Sequence, residues 1–87
     1  MKKISFSQKA FEDYYAWSLR DKKTFKKIND LIIEITRDPF KGSGKPEPLK
    51  HDFKGFWSRR ISQEHRLVYE VTTEQVIIVS CEGHYTK

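Results

Sequence analysis

The chain has 87 residues and 10.4 kDa, 37% of them hydrophobic and 14% aromatic, enough for one compact domain over 1–87 and too little for a second core. Its single cysteine, Cys81, excludes an internal disulfide and a thiolate zinc site, and no apolar run nears the ~20 residues that span a bilayer. Seventeen Lys and Arg against twelve Asp and Glu leave a net charge of +5, which favours a polyanionic partner through counterion release without naming one. No secretory apolar stretch stands in MKKISFSQKAF, so a reducing, cytoplasmic location is expected.

In chain order, Ile4 and Phe6 alternate with Lys3, Ser5 and Ser7, the period of two of a short strand. Ser7 is placed to cap a first helix from Gln8 to about Leu19, with Phe11, Tyr14, Tyr15, Ser18 and Leu19 as its expected buried face. Asp21 is placed to cap a second helix from Lys22 to about Arg37, whose Phe25, Ile28, Leu31, Ile32 and Ile35 recur at helical spacing. Pro39 excludes the helical conformation at Asp38 and ends it. The segment DPFKGSGKPEP, residues 38–48, holds all three prolines and reads as a loop.

Beyond it, Trp57, Arg59 and Ile61 alternate with Phe56, Ser58 and Arg60, and Leu67, Tyr69 and Val71 with Arg66, Val68 and Glu70. With the β-branched run Val76–Val79 they predict a meander turning at 62–64 and 72–75. The expectation is an α+β domain in the order β-α-α-β-β-β, an antiparallel sheet with both helices packed on one face.

His51, His65 and His84 lack the i, i+4 spacing of a readable metal site, and no nucleophile elbow, P-loop or dinucleotide fingerprint occurs. No metal and no cofactor are therefore expected. Cys81, on an apolar strand, reads as core.

A polar set remains in the strand half: Glu47, Lys50, Arg59, Arg60, His65, Arg66, His84 and Tyr85. These residue types suit metal-free phosphodiester cleavage. Attack of an RNA 2′-hydroxyl on its own phosphate needs a base, an acid for the departing 5′-oxygen and fixed cations on the phosphorane. A glutamate is a ready base near neutral pH, and a histidine beside an anion is a ready acid. Adjacent Arg59 and Arg60 face opposite sides of a strand, so at most one joins a given site, and Arg60 is favoured. Arg66 shares the parity of Val68 and Glu70, which puts it on the face the helices leave uncovered. Spacing leaves both a functional and a solvated reading of it open. The same holds for Lys22, Lys23, Lys26 and Lys27 on one face of the second helix, either a solubilising surface or a phosphate-binding stripe.

The stretch PFKGSGKPEPLKHDFKGFWSRRISQEHRLVYEV and the late HY strongly resemble the YoeB (Txe) toxins of the RelE superfamily. The likeness covers nearly the whole chain, including DYYAW and KKINDLI, and KPEPLKH, GFWSRRI and EHRLVY are its most specific motifs. It implies a RelE-like, microbial-ribonuclease-like fold and an endoribonuclease that cuts messenger RNA in the ribosomal A site, stopping translation. The same resemblance makes Glu47 the general base, sets Lys50 and Arg60 against RNA phosphates, and has Arg66 stabilise the charge on the scissile phosphate. It also makes His84 the general acid and has Tyr85 orient the substrate. Thr86 and Lys87 follow the Tyr at which such chains commonly stop.

The implied partners are a YefM (Phd-like) antitoxin, the 70S ribosome with its messenger, operator DNA only through the antitoxin complex, and a second copy of the chain in a homodimer. No membrane partner is expected. Two other readings stay open: a non-catalytic, ribosome-binding translation inhibitor, and a co-repressor acting through the antitoxin.

Overall fold

The computed structural model describes residues 2–83, in the order β1 (Lys3–Phe6), α1 (Gln8–Arg20), α2 (Lys22–Arg37), β2 (Glu47–Pro48), a 3-10 turn (His51–Phe53), β3 (Phe56–Arg60), β4 (Arg66–Val71) and β5 (Gln75–Ser80). Local chemistry sets the helix ends. The Ser7 side chain accepts from the Ala10 N–H at 3.1 Å, and the Asp21 carboxylate from the N–H groups of Lys23 and Thr24, each supplying a partner to an otherwise orphan helical donor. Asp38, before Pro39, is extended at φ −151° and ψ 101°, and α2 stops there as expected.

Five strands form one sheet in the order β1-β5-β4-β3-β2. The meander of β3, β4 and β5 is antiparallel, with a bulge where Val68 faces Ser80 and Tyr69 faces Ile78. Two features differ from the expected all-antiparallel sheet. β1 pairs with β5 in parallel, Ile4 opposite Val76, so the sheet is mixed. A tight turn would force antiparallel pairing, but β1 joins the rest through two helices and a loop, and such a long connection permits either direction. The end of the proline-rich segment is β2, an edge strand of two residues, too short for alternation to reveal. Pro48 is tolerated there because an edge residue needs no ladder donor on its outer side.

The core lies between the helices and one face of the sheet: Ala10 and Trp17 from α1, Ile28, Leu31 and Ile35 from α2, and Leu67, Tyr69, Val76 and Ile78 from the strands. α2 buries the stripe its periodicity predicts. α1 does not. Its inward stripe is Ala10, Tyr14 and Trp17, whereas Phe11, Tyr15 and Leu19 are 57%, 60% and 73% exposed. Both stripes have helical spacing, and packing selects the one with the small Ala10 and with Trp17, whose indole N–H reaches the Cys81 carbonyl at 2.9 Å. No helix among the described residues is long and apolar enough to cross a membrane.

Candidate active site

Residues paired across a ladder share a face, and alternate residues of a strand return to it. Glu47 pairs with Ser58, Ser58 with Val68, and Arg60 with Arg66. Glu47, Ser58, Arg60, Arg66 and Val68 therefore occupy the face away from the helices, and Pro48, Trp57, Arg59, Leu67 and Tyr69 the core face. Directly opposed residues stand ~5 Å apart, so Arg60 and Arg66 concentrate two positive charges at one end of β3 and β4. β2 and β4 flank β3, which separates Glu47 from Arg66 by about 10 Å across the sheet.

Glu47, Arg60 and Lys50 are exposed; Lys50 follows β2 and its carbonyl accepts from the Phe53 N–H at 3.1 Å. Arg66 is half-buried, its Nη1 donating to the carbonyls of Ser62, Gln63 and His65 in the turn before β4. These bonds tie the guanidinium to the turn. His84 and Tyr85 lie outside the described residues. Lys22, Lys23, Lys26 and Lys27 are all exposed on α2, and Lys26 is paired with Asp30 at 2.8 Å. Among the described residues no three His, Cys, Asp or Glu side chains gather as a metal site would require.

Sequence reasoning missed what holds Glu47 in place. Arg59 is completely buried on the core face, and its five N–H donors all find acceptors. Nε donates to the Tyr69 hydroxyl at 3.1 Å; Nη1 to Glu34 Oε1 at 3.2 Å and to the Ser43 carbonyl at 3.3 Å; Nη2 to the carbonyls of Asp38 and Lys41 at 2.8 and 2.9 Å. Tyr69 in turn donates to the Pro39 carbonyl at 2.7 Å, and burial pushes its phenol up, so it stays a donor.

Glu34 completes the knot, accepting from the N–H and the hydroxyl of Ser43 at 2.8 Å each. Those bonds and the Arg59 charge hold its carboxyl below the ordinary value of 4.5. The loop 38–46 is thus tied through three of its carbonyls to one guanidinium and through a fourth to Tyr69, and it leads straight into Glu47. Gly42, at φ +135°, leaves room for the knot: a Cβ there would stand 2.5 Å from Glu34 Oε1 and 2.8 Å from Arg59 Nη1. A charged residue at an inward parity between Trp57 and Ile61 was the signal available in the sequence.

Two helices on one side of a five-stranded mixed sheet, with Glu47, Arg60 and Arg66 on its other side, form an α+β domain, and comparison with known proteins places that domain among the toxins of the RelE superfamily. Residues 6–85 match the family described as the YoeB-like toxin of the bacterial type II toxin-antitoxin system. Toxin YoeB of Escherichia coli (strain K12) is 53% identical over 83 residues, 95% of this chain and 99% of that protein. The solved YoeB dimer from Staphylococcus aureus superposes with a TM-score of 0.90 at 49% identity, covering 97% of this chain and 98% of that one. A YoeB-YefM complex from the same organism superposes with a TM-score of 0.88 at 48% identity, covering 98% and 99%. The chain belongs to the YoeB-like toxins of type II toxin-antitoxin systems.

Proposed function

We propose that the protein is a ribosome-dependent endoribonuclease that cuts messenger RNA in the A site without metal, stopping translation. The observation that carries this reading is the shared face of Glu47, Arg60 and Arg66, which puts one carboxylate and two guanidinium groups on three adjacent strands of one sheet surface. Glu47 takes the proton of the 2′-hydroxyl, and the attacking oxygen forms a bond to phosphorus. Arg66 stabilises the charge that develops on the phosphorane oxygens, and Arg60 and Lys50 hold neighbouring phosphates. His84 protonates the departing 5′-oxygen and Tyr85 orients the substrate, roles assigned through the family resemblance. The products are a 2′,3′-cyclic phosphate and a 5′-hydroxyl.

The exposed lysines of α2 dock on ribosomal RNA. A YefM-type antitoxin binds the toxin, a reading supported by the solved complex of the Staphylococcus aureus relative, as its solved dimer supports self-association, and operator DNA is bound only through that antitoxin complex. The protein acts in the cytoplasm, where its ribosomal substrate is.

The test is a purified translation reaction with 5′-labelled messenger, comparing the wild-type chain with His84→Gln, with and without ribosomes and with EDTA in a parallel ribosome-free tube. Cleavage at the A-site codon by the wild type alone, only with ribosomes and ending in a cyclic phosphate, is the expected result. Intact messenger with translation still stopped would instead make the protein a ribosome-binding blocker.

A further inference from the structure

The segment after β5 is fastened residue by residue. The Cys81 carbonyl accepts from Trp17 Nε1 at 2.9 Å. Glu82 meets Arg20 at 3.4 Å, and that guanidinium lies over the Trp17 ring, 4.0 Å from its centroid. Gly83 is held at both backbone groups: its carbonyl accepts from the Arg66 N–H at 2.9 Å, and its N–H donates to His65 Nδ1 at 2.9 Å. A backbone N–H only donates, so Nδ1 carries a lone pair and the imidazole is the neutral Nε2–H tautomer. The ring is itself fixed, edge-on to Trp17 with centroids 5.0 Å apart. Gly83 turns the chain at φ +91°, with nothing within 4 Å of a would-be Cβ. Its conformation is thus imposed by these bonds and by its freedom from a side chain, not by crowding.

His65 and Gly83 are each covalently bonded to a residue of the proposed chemistry, Arg66 and His84. We infer that His65 is a positioning residue for that chemistry: its Nδ1 fixes the backbone of Gly83, the residue that precedes His84 in the chain, against the start of β4, which carries Arg66. The inference rests on the ribonuclease reading. Its physical basis is that general acids lose much of their effect when displaced by about 1 Å, and one backbone bond at the preceding residue controls displacements of that size.

The test separates the acceptor atom from the ring. In His65→Asn the amide Oδ1 sits where Nδ1 sits and keeps the acceptor while losing the contact with Trp17. In His65→Phe the edge-on contact remains and the acceptor is gone. His65→Gln, with its polar atoms at the Nε2 end, is a second acceptor-free variant should the Phe chain fold poorly. Two readouts are taken on the full chain: hydrogen exchange of the Gly83 amide by NMR, and single-turnover cleavage of ribosome-bound messenger together with ribosome affinity.

The Gly83 amide is expected to be protected in the wild type and His65→Asn and to exchange faster in His65→Phe and His65→Gln. The cleavage rate should fall at least about tenfold in the two acceptor-free variants at unchanged ribosome affinity, and recover in His65→Asn. Wild-type cleavage rates in both acceptor-free variants, or a His65→Asn chain that protects Gly83 yet cleaves as slowly as His65→Phe, would overturn the inference. A wild-type chain that never cuts messenger overturns the ribonuclease reading and the positioning role with it, while the exchange data still report whether the Gly83 bond exists.

Discussion

Arg59 Nη1 and Glu34 Oε1 stand 3.2 Å apart where α2 passes over β3, the guanidinium fully buried and the carboxylate 37% exposed. An exposed ion pair contributes little, but this one is the centre of a knot in which one side chain donates to three loop carbonyls, a carboxylate and a phenol. Its role is to give the proline- and glycine-rich loop a single shape, and thereby to bring Glu47 to the edge of β3.

Replacing Arg59 by Leu leaves several buried acceptors without donors, at about 1–3 kcal/mol for each one that water cannot reach. We expect a loss of at least ~3 kcal/mol in urea unfolding, and a smaller loss for Arg59→Lys, whose ammonium has three donors and no planar fork. A variant within ~1 kcal/mol of wild type would show that the loop holds its shape without the knot.

Gly42→Ala and Gly55→Ala form a matched pair. Both glycines have positive φ, +135° and +95°, but only the first has close neighbours, the second having none within 4 Å of a would-be Cβ. Gly55→Ala should cost only backbone strain, ~1 kcal/mol, and Gly42→Ala clearly more, because Glu34 and Arg59 must part. Equal midpoints in chemical denaturation would refute the steric account.

The carboxyl of Glu34 sits below its ordinary 4.5 in the folded chain, chiefly because of the bonds from Ser43 and then the Arg59 charge. For a group depressed by folding, the stabilisation is complete above the unfolded value and is lost as pH falls through the folded one. The stability difference between wild type and Glu34→Gln should therefore hold steady from neutral pH down to about pH 5 and shrink below 4.5. A difference constant down to about pH 3 would mean that Glu34 does not titrate with the loop.

Burial pushes the Cys81 thiol up to about 12, and its Sγ lies 3.6 Å from the Ala10 carbonyl. Iodoacetamide at about pH 8 should leave the native chain unlabelled and modify it fully in denaturant. Rapid native labelling, read by mass spectrometry, would contradict the packing of α1 on the end of β5.

For the proposed chemistry, Glu47→Gln and Arg66→Met should each slow single-turnover cleavage by at least ~10²-fold, since general bases and charge-stabilising groups are worth that much. Exchanging Lys22, Lys23, Lys26 and Lys27 for Gln should weaken ribosome binding and flatten its salt dependence. Unchanged binding across salt would remove α2 from the docking surface.

What the sequence determined by itself is what depends on neighbours a few residues away. Ser7, Asp21 and the pair Asp38 and Pro39 mark helix ends because capping and proline sterics act within one turn, and α2 shows its buried face because only one of its faces is apolar. Alternation likewise marks β3 and β4, and it puts Arg66 opposite in parity to Leu67 and Tyr69. Tertiary structure alone decided between the two apolar stripes of α1, turning Trp17 inward and Phe11, Tyr15 and Leu19 out, because spacing is the same for both and only the fit against β5 and α2 differs. It also chose the parallel direction of β1, which a long connection leaves free. The bond from Gly83 to His65 and the knot joining Glu34, Arg59 and Tyr69 span 18, 25 and 10 residues of chain. Such partners have no local signature, and a buried guanidinium can satisfy five donors only once helix, loop and sheet have met around it.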